Sequence, residues 1–299
     1  MSAPSIAILI INWNGLDDTL QCLETLYNCE QNNFEVFLVD NASEISPEKI
    51  IMARFPKVHY IASEFNLGFA AGNNLAIQTV LDRGFTYILF LNNDTLTSPD
   101  FLSPLCQALE NNPQLNAVQP CIFFKNNPKQ IWSAGGKWNK WMGDAETITN
   151  IPHQSSLVQR DWLTGCAMMV RSTALKHVGG FNPHFFAYYE DVELSFRLNE
   201  NKNQLAFVPN SVIWHKVGGS VHLANNMEGS LNPMVHFWNW RNRIWVMKKY
   251  QPALLLLINA FILVPKFLFT CIYFIVRGRW NKLKLTCKGF GDGLRYSIK

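Results

Sequence analysis

At 299 residues with 48% hydrophobic content, the chain is long enough for one large α/β domain or two smaller ones, and general disorder is excluded. The net charge of +4 is mild and mostly local, because Arg277, Arg279, Lys282, Lys284, Lys288, Arg295 and Lys299 face only Asp292 near the end of the chain. Seven cysteines (Cys22, Cys29, Cys106, Cys121, Cys166, Cys271 and Cys287) include no CxxC pair, which argues against a disulfide framework and for a reducing compartment.

The opening MSAPSIAILIINWNG has no basic segment and no long apolar run ahead of a small-residue cleavage site. It does not read as a signal peptide, and the cytoplasm is the default location. Strands are predicted over 6–11, 36–39, 58–61 and 87–91, runs too short and too β-branched or aromatic to prefer a helix. Between the first two, DDTLQCLETLYNC carries Leu16, Leu20, Leu23 and Tyr27 on one helical face, with Asp17 and Asp18 at the positive end of the dipole. A second helical pattern covers 74–81. Alternating strands and helices predict a mostly parallel α/β sheet, whose ligands bind beyond the carboxyl ends of the strands. Asn12, Asn14, Asp40, Asn41, Asn66, Asn92, Asn93 and Asp94 all follow strands and are expected on that edge.

Residues 101–160 give a weaker pattern, with a loop, GGKWNKWMGD, expected to expose Trp138 and Trp141. A second set of elements over 162–215 includes a helix at SFRLNENK and a strand at SVIWH. The apolar run 253–276 is long enough to cross a bilayer, but Pro265 and Lys266 fall near its middle. Two helices in or dipping into the membrane interface, held by the basic flank, are predicted there; the alternative is a buried helical pair of a soluble protein. The basic residues lie beside this apolar sequence, which argues against a nucleic-acid partner.

No GxGxxG follows a strand, and GxxxxGK[ST] and GxSxG are absent, so dinucleotide, P-loop and α/β-hydrolase readings lose their main support. Asp40 either accepts hydrogen bonds from a nucleoside or closes an Asx turn in DNAS. Asp94 either ligates Mg²⁺ or Mn²⁺ or caps a helix starting near Pro99. Glu190 and Asp191 either cap a helix electrostatically or supply a general base in a pocket walled by Phe185, Phe186, Tyr188 and Tyr189. In the second case the base is assigned to Asp191, kept ionised by the helix end, and Glu190 supports it. His215 is either structural or a metal ligand, and Lys216 with Ser220 sits on a glycine-hinged loop suited to closing over a diphosphate.

In chain order, IAILIINWNG, VFLVDNAS, NLGFAAGNN, YILFLNNDT, LTGCAMMVRSTALKHVGGFNPHFFAYYEDVELSFRL and VIWHKVGGS cover residues 5–220. Together they resemble glycosyltransferase family 2, inverting enzymes of the GT-A fold, and within it the rhamnosyltransferase-like bacterial members. The resemblance implies a Rossmann-like, mostly parallel sheet flanked by helices over 1–220. Residues 1–100 would form the nucleotide-sugar half and 101–220 the acceptor and catalytic half, followed by an apolar and basic helical, membrane-associating extension over 221–299. It implies that Asp40 binds base or ribose, that Asn66 and Gly68 lie near the nucleotide, and that Asn74 and Lys216 join the nucleotide-sugar contacts. Asp94 becomes the last acid of a metal motif in which many relatives have Asp where this chain has Asn92. Asp191 matches the catalytic base, His215 a metal or diphosphate contact, and Gly165 the acceptor-side turn, with Tyr189 and Trp138 on the same side.

The expected activity is transfer of a sugar from a nucleoside-diphosphate sugar, dTDP-rhamnose or a UDP-sugar, to a saccharide or lipid-linked saccharide in cell-surface polysaccharide synthesis. Mg²⁺ or Mn²⁺ is the expected cofactor, and the cytoplasmic face of the membrane is the expected location. A sugar-phosphate nucleotidyltransferase normally carries a glycine-rich basic loop near its N-terminus, where INWNGLDD offers one glycine and no basic residue. A non-catalytic nucleotide-sugar-binding protein is the other alternative.

Overall fold

The computed structural model describes residues 4–31, 33–151, 157–217, 228 and 231–298. The chain divides into two compact units. The first takes Met1–Lys137, Thr147–Pro183 and Glu190–Ser220; the second takes Trp138–Glu146, His184–Tyr189 and Val221–Lys299.

The chain begins with β1 (Ile6–Asn12), α1 (Leu16–Tyr27), β2 (Phe34–Asp40), α2 (Glu48–Arg54), β3 (His59–Ala62), α3 (Gly68–Asp82) and β4 (Tyr87–Asn92). It continues through β5 (Thr95–Thr97), α4 (Leu102–Asn111), β6 (Ala117–Phe124), β7 (Asn127–Ser133), β8 (Gly136–Asn139), β9 (Asp144–Thr147), β10 (Val158–Gln159) and β11 (Ala167–Arg171). Then follow α5 (Ser172–Val178), α6 (Glu190–Leu198), β12 (Leu205–His215), α7 (Met234–Tyr250), α8 (Ala253–Val276) and α9 (Trp280–Arg295).

In the first unit the main sheet runs β10-β12-β6-β11-β4-β1-β2-β3, with β5 on β12 and β7 on β6. The predicted strands over 6–11, 36–39, 58–61 and 87–91 are β1 to β4, which pair in parallel. Strand β11 lies antiparallel between β4 and β6, while β6 and β12 are again parallel, so the sheet is mixed but mostly parallel. One face of the sheet carries Ile6, Ile8, Ile10, Val36, Leu38, Leu89 and Leu91, covered by Leu23 and Leu26 of α1 and Leu102, Leu105 and Leu109 of α4. Each of these fully buried side chains contributes about 1.5–3 kcal/mol of transfer free energy. The predicted stripe of α1 splits, with Leu23 in the core and Leu16, Leu20 and Tyr27 packed at its margin.

The second helical pattern begins earlier than predicted, at Gly68, where φ is 75°. A Cβ on Gly72 would stand 3.1 Å from Ile11 Cδ1 and 3.4 Å from Asn41, so a side chain there would push α3 off β1. Helix α6 opens at Glu190, and its fully buried Glu193 accepts two hydrogen bonds from Arg197 Nε, at 3.1 and 3.0 Å, and one from Nη2 at 2.7 Å. Arg197 Nη1 also donates to Val178 O at the end of α5, which ties the two helices together.

In the second unit α8 runs unbroken, a correction to the two helices predicted on either side of Pro265. Proline removes one helical N–H and crowds the preceding turn, yet both arms of α8 have partners. Asn259 Nδ2 donates to Lys140 O and Trp141 O, Leu263 packs with Trp240, Ile244 and Met247, and Phe274 meets His236 edge-on.

Replacing Glu193 with Ala strands the Arg197 guanidinium at a mostly buried site. It is expected to lower stability by about 3–5 kcal/mol, read as a lower urea midpoint at unchanged slope.

Candidate active site

The carboxyl edge of β1, β2 and β4 is polar and internally braced. In the sheet register Asn12 pairs with Asp40 and Ile11 with Asn92, so the residues that follow these strands are neighbours in space. Asn12 Nδ2 donates to Asp40 Oδ1 at 2.7 Å, and the Ser43 hydroxyl donates to the same oxygen at 2.6 Å. The backbone N–H of Ser43 reaches Asp40 Oδ2 at 3.3 Å, the Asx-type closure that DNAS allows. Asn14, in the left-handed region at φ 53°, donates its N–H to Ser43 Oγ and accepts from Glu44 N. Asn41 is buried. Its Nδ2 donates to Asn66 Oδ1 and Gly68 O, its Oδ1 accepts from Leu67 N, and Asn66 Oδ1 also accepts from Gly68 N. Ser43, which the sequence reading did not single out, joins Asp40, Asn12 and Asn14.

Two residues expected among the nucleotide-sugar contacts hold protein partners. Asn74 lies within α3 and uses both ends of its amide on the Phe181 backbone, Nδ2 to O at 2.8 Å and Oδ1 from N at 3.0 Å. Asn93 turns its amide nitrogen onto α1, donating to Thr19 Oγ1 at 2.9 Å and to Gly15 O at 3.4 Å. Both brace the fold.

Antiparallel pairing of β5 with β12 sets Thr95 opposite His215 and so brings Asp94 beside the imidazole. Asp94 Oδ1 stands 3.0 Å from His215 Nε2, with Asn92 Nδ2 at 3.5 Å from the same nitrogen. This contact replaces the alternative helix-capping role, since α4 begins only at Leu102. Two neighbouring ligands each about 2.1 Å from an octahedral ion stand about 3.0 Å apart, so the pair fits a divalent ion. Among the described residues no group of three or more His, Cys, Asp or Glu side chains converges on one point, so such an ion must take most of its ligands from elsewhere. Among the described residues His215 Nδ1 is buried with no hydrogen-bond partner, so none of them supplies the second-shell acceptor that usually strengthens a metal-bound histidine. Lys216 does not stand free for a diphosphate as expected. Its ammonium reaches both oxygens of Asp18, at 2.9 Å each, and the predicted loop 218–220 lies outside the described residues.

Asp191 Oδ2 accepts the Gly165 N–H at 3.0 Å, and Oδ1 accepts the Val192 N–H at 2.8 Å. A Cβ on Gly165 would lie 2.9 Å from the Phe69 ring, so only glycine brings this N–H to the carboxylate without displacement. Burial raises the Asp191 carboxyl above its ordinary value, and the hydrogen bonds from Gly165, Val192 and Thr164 pull the other way. Desolvation outweighs these donors, so the carboxyl rises even at the start of a helix. Burial, then the charge of Asp191, pushes Glu190 well above the carboxylate range, and its Oε2 is buried without a partner among the described residues.

In the second unit the predicted acceptor contacts are turned inward. The Tyr189 hydroxyl donates to Asp144 Oδ1 at 2.8 Å, and Trp138 packs against the Trp240, Ile244, Met247 and Leu263 cluster rather than standing exposed. Phe185 is fully buried against Trp245, and Phe186 stacks on Trp238, so neither serves as a free wall. Tyr188 and Tyr189 both hold positive φ, 66° and 67°, while buried Asn242 donates to the Ala187 and Tyr188 carbonyls. Asn242 was missed from the sequence; its signal is a lone amide between arginines in the aromatic run FWNWRNRIW.

The glycosyl transferase family 2 model matches residues 7–178. With that match over more than half its length, on a GT-A sheet with this carboxyl edge, the chain belongs to glycosyl transferase family 2, and it is a glycosyltransferase of the rhamnosyltransferase-like group. Its relatives include rhamnosyltransferase WbbL of Escherichia coli (strain K12), 26% identical over 214 residues, which is 67% of this chain and 80% of that protein. The N-acetylglucosaminyl-diphospho-decaprenol L-rhamnosyltransferase of Mycobacterium tuberculosis is 25% identical over 217 residues, 64% of this chain and 70% of its own. The dTDP-rhamnosyl transferase RfbF of Shigella flexneri is 23% identical over 259 residues, 85% and 84% of the two chains. Among solved structures, GalNAc-T7 with UDP, GalNAc and Mn²⁺ superposes with a TM-score of 0.62 at 15% identity, over 71% of this chain and 43% of that one. S. aureus TarS 1-349 superposes with a TM-score of 0.54 at 14% identity, over 86% and 69% of the chains.

Glu190 also gives a stability test. A carboxyl whose folded-state value is raised loses folding free energy as pH climbs from its unfolded value, about 4.3, through the folded one, and the penalty is full above both. Glu190→Gln removes that penalty, so its melting temperature is expected to exceed the parent's at pH 8 and to converge toward it at pH 4. A constant offset across that range would rule out a buried, raised carboxyl.

Proposed function

We propose that the protein transfers a sugar, with inversion, from a nucleoside-diphosphate sugar to a hydroxyl of a saccharide or lipid-linked saccharide in cell-envelope polysaccharide synthesis. The work is done at the cytoplasmic face of the membrane. The observation that carries this reading is Asp191: a carboxyl raised by burial, aimed by the Gly165 N–H, in the same unit as the braced nucleotide edge. A carboxylate with a raised value is the stronger base once it has lost its proton.

Asp40, with Asn12 and Ser43 fixing its rotamer, accepts from base or ribose, and Asn41, Asn66 and Gly68 shape the backbone beside it. Asp94 and His215 are the residues that would hold Mg²⁺ or Mn²⁺, with Asn92 beside them. When bound, the ion neutralises charge on the departing diphosphate. Lys216, exchanging Asp18 for phosphate oxygens, adds to that neutralisation. Asp191 takes the proton of the acceptor hydroxyl as its oxygen forms the new bond to the anomeric carbon. The bond to phosphate oxygen breaks on the opposite face, and its electron pair leaves with the nucleoside diphosphate. Rate enhancement comes from positioning and from fixed charge. dTDP-rhamnose and UDP-sugars are the proposed donors; the names of relatives bearing dTDP-rhamnosyl and decaprenol-linked chemistry, and the UDP and Mn²⁺ of a fold neighbour, support these classes.

Asp191→Asn is expected to lower transfer by a factor of about 10²–10⁴ while the thermal shift given by the donor stays within error; unchanged turnover would sink the assignment. In the parent, kcat/KM should fall as pH drops through the Asp191 value, with the acid limb lying above the ordinary aspartate value, about 3.9. An acid limb at or below that value would contradict a base raised by burial. Release of nucleoside diphosphate from a nucleotide sugar supports transfer, whereas pyrophosphate release from a nucleoside triphosphate would point to nucleotidyl transfer.

A further inference from the structure

Helix α8 is apolar on both sides, and only one side is covered. Asn259 and Leu263 are buried, and Leu256 and Phe267 pack with them against Trp240, Ile244 and Met247. The opposite stripe, Leu254, Leu257, Phe261, Val264, Leu268 and Ile272, recurs at intervals of three and four and faces outward, with Phe261 82% exposed and neighbouring Phe269 72% exposed. Single exposed leucines are ordinary, but a continuous apolar stripe along a helix about 36 Å long marks a surface that is covered in use. No acidic residue lies in α8. At and just beyond its C-terminal end stand exposed Arg277, Trp280 and Lys284, with Trp280 60% exposed. Apolar stripe, aromatic end and cationic flank together match the layers of an anionic bilayer surface: acyl chains, interface and headgroups.

Length and mean hydropathy, 2.2, would equally permit this helix to cross a membrane. The covered side forbids it. Asn259 Nδ2 donates to Lys140 O at 3.0 Å and to Trp141 O at 2.6 Å. Lys266 Nζ reaches Asp144 Oδ2 at 3.3 Å, and Asp144 also meets Arg243 at 3.0 Å and the Tyr189 hydroxyl at 2.8 Å. A crossing helix would carry this polar set, and the charged α7 and α9 packed with it, into hydrocarbon that offers no water to compensate them. Lying flat leaves every one of these groups on the protein side. Lys266, in mid-helix, then has its partner in Asp144.

We infer that α8 is a monotopic anchor: it lies along the surface of an anionic bilayer with its outer stripe among the acyl chains, and it does not span the membrane. The inference rests on the membrane-surface part of the proposed function and is independent of the transfer chemistry.

The full chain is floated with sealed vesicles of phosphatidylcholine alone and of phosphatidylcholine with phosphatidylglycerol. The parent is expected to float with both and better with the anionic mixture. Phe261→Glu with Phe269→Glu should cut the vesicle-bound fraction at least about tenfold, since each charge must leave the acyl region, at an unchanged melting temperature because both side chains are exposed. Arg277→Gln with Lys284→Gln should remove only the anionic preference. In sealed inverted membrane vesicles, a tag after Lys299 and the N-terminal unit should both be digested by added protease. A protected tag would overturn the in-plane geometry while leaving membrane association standing. Flotation unaffected by the paired glutamates would overturn α8 as the anchor. A dimer that these glutamates dissociate, with no flotation of the parent, would assign the stripe to a second copy and overturn both. Intact flotation without sugar transfer would count against the chemistry alone.

Discussion

Strand β5 is three residues long, yet its antiparallel pairing with β12 sets Thr95 opposite His215 and holds Asp94 at 3.0 Å from the imidazole. The acid that ends LFLNND and the histidine that ends SVIWH are 121 positions apart in the chain, and this short pairing sets them side by side. The rest of the edge is braced by bonds of its own. Asn12 and Ser43 fix Asp40, Asn41 fixes the turn into α3, and Asn93 fixes the start of α1. Each bond is modest, about 0.5–1.5 kcal/mol net. Their shared effect is an edge already ordered before any ligand arrives, so binding need not order it.

The Asp191 carboxyl is set by a different balance. Burial pushes the Asp191 carboxyl up, and the backbone donors of Gly165 and Val192 limit that rise. A base needs both: enough desolvation to want a proton and enough hydrogen bonding to keep its position while lacking one. In the second unit, consecutive left-handed tyrosines at 188 and 189 cost on the order of 1–3 kcal/mol each, and the Asn242 amide is what holds their turn. The chain passes from that turn directly into α6, where Glu190 and Asp191 sit.

Much of the N-terminal part of the main sheet was legible because its signals are local. Runs such as IAILII and VFLV are buried on both faces and end in polar residues, and their order placed Asn12, Asp40 and Asn92 at one edge. Direction was not legible: AMMVR of β11 is apolar whichever way it runs, and only its pairing shows that it opposes β4. Side-chain orientation was equally hidden. Asn74 and Asn93 have the composition of ligand contacts but turn to Phe181 and Thr19, and Tyr189 and Trp138 turn to Asp144 and to an apolar cluster. Pro265 read as a break because local propensity opposes it, whereas the tertiary partners of Asn259, Leu263 and Phe274 hold the helix through it. The raised Asp191 was missed for the same reason, since burial is a property of the fold.

In the proposed function Asp94 and His215 are a two-donor set that a diphosphate completes, and Mn²⁺ binding followed by electron paramagnetic resonance, with and without a nucleoside diphosphate, tests that most directly. Binding should be weak to the protein alone and at least about tenfold tighter with nucleotide present, since phosphate oxygens supply most of the ligands. The enhancement should disappear in Asp94→Asn. Tight Mn²⁺ binding without nucleotide, or an enhancement that survives Asp94→Asn, would contradict it.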